Sequence, residues 1–144
     1  MNRSIICGLF TLALGLASTA CSTTPDLTEP TPTPPTVIIE PDWTGTLMVN
    51  GSQAVPFIIT AAGQVTVTIQ SLDPNPDLTV RVGLAVGTWN GQACQLIIAN
   101  DSAGLGSVIY GGATAAGALC ARISDAGNGG MTGPVDFVVR ITHL

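Results

Sequence analysis

The chain has 144 residues and a net charge of −5, with arginine as its only strong base, at positions 3, 81, 122 and 140. That excludes the basic stripe a phosphate backbone requires, so no nucleic-acid partner is expected, and an anionic membrane surface fits equally badly. The length leaves room for one domain once the N-terminal tract is set aside.

Residues 1–20 have the organisation of an export signal: Arg3 supplies a positive start, and Ser4 to Ala17 is an apolar run too short to span a bilayer. The run ends in Leu16-Ala17-Ser18-Thr19-Ala20-Cys21, which resembles a bacterial lipobox, so Cys21 is expected to be acylated and to become the mature N-terminus. The alternative is an ordinary cut after Ala20 that leaves a free thiol. A lone exposed thiol is a liability in an oxidising compartment, which favours the lipid. In lipoproteins of this kind, Ser22 after the cysteine goes with outer-membrane sorting, so the expected location is the bacterial cell envelope, at the outer membrane.

Residues 21–41 are rich in proline and threonine, with Val37-Ile38-Ile39 the only apolar group, and read as a tether. Proline-rich chain favours extended polyproline II at about 3.1 Å per residue, enough to hold a domain well clear of a membrane.

From residue 42 to 144 the pattern is that of strands. Trp43 to Val49 is the first, and Asn50-Gly51 after it suits a tight hairpin to the stretch that begins at Val55. Pro56 removes a backbone donor and puts this second stretch on a sheet edge or at a bulge. Val65, Val67 and Ile69 alternate with Thr66, Thr68 and Gln70, the period of a strand with one buried and one wet face.

A loop over 71–77 precedes a strand in which Leu78, Val80, Val82, Leu84 and Val86 share a face. Thr88-Trp89-Asn90-Gly91 turns the chain into a short apolar strand, Cys94 to Ala99. Further strands are expected near Val108 to Tyr110, from Ala118 to Ser124, and from Val135 to Thr142, where Val135, Phe137, Val139 and Ile141 point inward. Roughly seven to nine short strands at close spacing, with no convincing helix, predict an all-β antiparallel sandwich.

Cys7 leaves with the leader and Cys21 is assigned to the lipid, so Cys94 and Cys120 are the expected disulfide. Strand parity sets Cys120 beside the outward Arg122 but Cys94 with Leu96 and Ile98, so the bridge requires strand ends or a bulge.

Between Trp43 and Thr142 the chain resembles the pre-peptidase C-terminal (PPC) domain, the small β-sandwich found beside secreted bacterial proteases. The residues that carry the likeness are Phe57 to Ile69, Asp77-Leu78, Asn100-Asp101, Ala116 to Ile123 and Val135 to Ile141. The resemblance implies the sandwich fold and a role as an extracellular accessory or binding module. No peptidase domain is expected within these 144 residues.

Catalysis is not expected. The only histidine, His143, is one residue from the chain end, where burial and orientation by a third group are hard to arrange. Paired carboxylates such as Asp73 and Asp77 also read as turn chemistry. No cofactor is expected beyond calcium, whose oxygen ligands would come from the loop residues Asp73, Asn75, Asp77, Asn100, Asp101 and Asp125. The reading is a non-catalytic envelope module that meets an unidentified protein or polysaccharide. Its rival is a carbohydrate-binding module in which Trp89 stacks on a sugar beside Asn90 and Gln92.

Overall fold

Alternation is realised almost everywhere it was legible. The computed structural model describes residues 33–75, 78–127 and 131–144; the signal peptide, Cys21, most of the tether and Asp77 lie outside them. Nine strands are present among the described residues: β1 (Ile38–Ile39), β2 (Trp43–Leu47), β3 (Ser52–Ile59), β4 (Gly63–Asp73), β5 (Val82–Trp89), β6 (Cys94–Ala103), β7 (Val108–Ala113), β8 (Gly117–Ser124) and β9 (Val135–His143). All pair antiparallel in two sheets. The first runs β1-β9-β4-β7, with β2 also on β9; the second runs β3-β8-β5-β6.

The long central strands hold the core. On β4, Val65, Val67 and Ile69 are buried against the facing sheet. A bulge between Ile69 and Ser71 then shifts the register on β9, so that Leu72 turns inward in place of Ser71. On β5, Val82, Leu84 and Val86 face β4 and β9 across the core, while β9 contributes Val135, Phe137, Val139 and Ile141.

Four expectations need correction. The Asn50-Gly51 turn forms as predicted, with Asn50 at a φ of 57° and the Gly51 N–H donating to Met48 O at 2.8 Å. It does not close a hairpin. Instead β2 pairs with β9 from Trp43↔Val139 to Leu47↔Val135, and β3 pairs with β8. The apolar alternation of β9 offers β2 a full ladder in one sheet, and the turn carries the chain across to the other.

The strand expected from Leu78 starts only at Val82, because Leu78 takes a left-handed φ of 56° and is exposed. The strand expected to end at Ala99 runs on to Ala103. The sandwich also begins inside the expected tether: Ile38 and Ile39 pair with His143 and Thr142.

The disulfide is present, and a bulge supplies its parity. Cys94 and Cys120 are bonded, with Cα atoms 5.7 Å apart. Between Val86↔Ile98 and Gly87↔Leu96 the β5–β6 register slips by one residue, at Ile97. Ile98 therefore faces inward with Val86, while Leu96 and Cys94 move to the outer face, where Cys120 lies opposite Gly87. Gly87 is required there, because a Cβ would overlap the Gln95 carbonyl.

Candidate functional site

Each sheet has two edges, so the sandwich has two margins where the layers open to solvent. At one margin β1 and β2 face β3; at the other β7 faces β6.

The β2/β3 margin holds a cleft of about 390 Å³. Trp43, Val55, Phe57 and Ile141 form its apolar walls, and Glu40, Asp42 and Thr44 bring polar groups to it. Trp43 is anchored edge-on to Phe137, with ring centroids 5.0 Å apart. Pro56 lies on this margin, in the edge strand β3, as its missing donor requires.

His143 corrects the expectation of an exposed, unoriented terminal ring. It continues the inward parity of Phe137, Val139 and Ile141 and is 3% exposed. Its Nε2–H donates to Glu40 Oε1 at 2.9 Å, Nδ1 lies 3.2 Å from Leu144 O, and the ring stacks on Phe57 at a centroid distance of 5.9 Å. Next to it, Asp42 accepts a two-pronged bond from Arg140, Nε to Oδ1 at 2.9 Å and Nη2 to Oδ2 at 2.8 Å. The Arg140 bond holds the Asp42 carboxyl below its usual range.

The residues expected to meet a sugar lie at the turn from β5 to β6. Trp89 ends β5 opposite Cys94 and is half-buried. Asn90 Oδ1 accepts from the Gln92 and Ala93 N–H groups at 3.0 and 2.8 Å, so this side chain shapes the turn. Gln92 is exposed.

The described loop residues named for calcium engage a variety of partners. Asp73 ends β4 opposite Asp136; Asn75 Oδ1 accepts from Val80 N–H; Asn100 Oδ1 accepts from Ser102 N–H; and Asp101 lies beside Gly83 on the outer face of the second sheet. Asp125 accepts from Asn50 N–H at 2.8 Å and Gly127 N–H at 3.0 Å, and those two bonds, Asn50 first, lower its pKa. Among the described residues no group of three or more His, Cys, Asp or Glu side chains is placed to hold a metal.

No family model matches this chain, and no curated protein matches its sequence. Solved structures do. The periplasmic inhibitor of g-type lysozyme PliG from Aeromonas hydrophila superposes with a TM-score of 0.51 at 15% identity, over 72% of this chain and 85% of that one. The Yersinia pseudotuberculosis-derived mitogen superposes with a TM-score of 0.50 at 14% identity, over 75% and 86%. At such identities the likeness establishes a shared β-rich fold.

Sequence reasoning missed the Glu40–His143 pair. The signal was available in strand parity, since His143 falls two residues after Ile141.

Proposed function

We propose that this chain is an exported, lipid-anchored protein of the bacterial envelope whose single sandwich binds a macromolecular partner and catalyses no reaction. The leader, Ala20-Cys21, Ser22 and the proline-threonine tether support the anchor and the outer membrane. The PPC-like pattern supports an accessory role, and one of the similar folds is a periplasmic lysozyme inhibitor.

The observation that carries the reading is the cleft at the β2/β3 margin. It combines an apolar wall with carboxylates at its rim, the composition of a recognition pocket. The one imidazole beside it has both ring nitrogens engaged, by Glu40 and Leu144, and so serves as a structural tie. A carbohydrate partner is the second reading, favoured because Trp43 supplies the aromatic surface next to acceptors that Trp89 was expected to supply.

The test is co-sedimentation of the full chain with peptidoglycan and with envelope polysaccharides, in calcium and in chelator. Thr44 is exposed at the cleft, so Thr44→Arg blocks it without touching the core. Saturable pelleting of the wild type, lost in Thr44→Arg, is expected for a glycan partner. Equal pelleting of both proteins contradicts the cleft, and loss of pelleting in chelator assigns calcium a part. Pelleting of neither directs the search to a protein partner through cross-linking in cells.

A further inference from the structure

The opposite margin is built on different lines. Strand β6 is the edge of its sheet, and every residue from Gln95 to Ser102 is exposed. Leu96, Ile97 and Ile98 are 43%, 69% and 39% exposed, and Tyr110 on the neighbouring edge strand β7 is 63% exposed. The bulge at Ile97 breaks the β5 pairing there, and Ile97 and Ile98 both line the mouth between the sheets beside Gly111 and Gly112. A hollow of about 310 Å³ next to Ile97, walled by Gly112 and the turn from Ala113 to Ala118, leaves room for an incoming branched side chain.

Charge distinguishes among possible occupants. From Val82 to Ala121 the sequence carries a single formal charge, Asp101, in a chain whose net charge is −5. A basic partner would seek the acidic groups that lie elsewhere. A second copy of this acidic chain would be repelled over most of its surface but not along this margin.

A twofold interface places one patch against itself and so tolerates no like charges within it. Antiparallel apposition about an axis near Ile97 brings the two Ile97 side chains together at the axis, and no residue from Cys94 to Asn100 carries a formal charge. The bulges interrupt the outer row of backbone groups on β6, so the contact rests on apolar burial more than on a long ladder.

We propose that two copies of this chain associate across the β6/β7 margin, with Leu96, Ile97 and Ile98 at the centre of an isologous dimer. This inference is independent of the cleft. Where both hold, the two clefts face away from the dimer axis, which makes the assembly bivalent.

The experiment is the mass of the full chain in nonionic detergent by light scattering on a sizing column. Wild type is expected at twice the chain mass, Ile97→Lys at half the wild-type value, and Ile58→Lys, on the outer face of the opposite edge strand, at the wild-type value. Retention of the Cys94–Cys120 bridge by mass spectrometry checks that each variant is folded. Should Ile97→Lys fail that check, Ile97→Cys in intact cells replaces it, with a covalent dimer on a non-reducing gel expected. Wild type at a single chain mass, Ile97→Lys folded yet doubled, or no cross-link through Ile97→Cys overturns the proposal.

Discussion

The two margins of the sandwich face the same problem, an open sheet edge, and handle it in opposite ways. At the β2/β3 margin one edge strand carries Pro56, which cannot donate, and the other edge is divided between the short strands β1 and β2. The Asp42–Arg140 ion pair and the Glu40–His143 hydrogen bond then tie the entering chain to β9. Those are devices that discourage pairing with another chain. At the β6/β7 margin β6 has ten residues and no formal charge before Asp101, and it presents three large aliphatic side chains to solvent. The comparison teaches that edge protection here is selective. The guarded margin retains a small cleft, and the bare one retains a surface.

The largest effect that sharpens this contrast is expected from the bridge, the covalent tie between the bare strand β6 and the interior strand β8. Replacing both Cys94 and Cys120 by alanine removes a cross-link of sequence separation 26. In the chain-entropy model that costs about 3 kcal/mol, read as a lower midpoint in urea unfolding under non-reducing conditions. An unchanged midpoint would mean that β6 needs no such tie.

On the guarded side, Glu40→Ala leaves the buried His143 Nε2 without its partner. A buried unsatisfied donor costs about 2 kcal/mol, so the same assay should show a smaller loss, and Glu40→Gln, which keeps an acceptor, should recover part of it. Wild-type midpoints in both variants would argue that the pair contributes nothing to closing this margin.

The smallest effect concerns acid. Asp125 has its pKa lowered in the folded chain by the Asn50 and Gly127 N–H bonds. Its contribution is therefore present above the ordinary carboxylate pKa and is lost as pH falls through the folded value. Thermal midpoints should decline as pH drops through the carboxylate range, and Asp125→Asn should be less stable near neutrality with a flatter decline. Asp42, exposed beside Arg140, contributes with the same sign.

The fold was legible because period-2 alternation of apolar residues runs from Val65 to Ile69 in β4, from Val82 to Val86 in β5 and from Val135 to Ile141 in β9. It became illegible where local signals do not encode the partner strand. Asn50-Gly51 specifies a turn but not whether the chain stays in the sheet, and that depends on β9, some ninety residues away. The bulge at Ile97 was implied by the conflicting parity of Cys94 and Cys120, although its position was not.

The cleft was the least legible part, since Glu40, Trp43, Phe57 and Ile141 come from four strands or their flanks and meet only through sheet pairing. His143 itself was misjudged by its nearness to the chain end, although its parity with Ile141 argued for burial. Asn90 engages its side-chain oxygen with its own turn, as turn residues do.

The most direct test of the contrast between the margins is amide hydrogen exchange of the full chain at low and high protein concentration, read separately over residues 52–59 and 94–103. The account predicts that protection of β6 rises with concentration while that of β3 stays constant. Exchange in both strands that ignores concentration, or protection that rises equally in both, would contradict it.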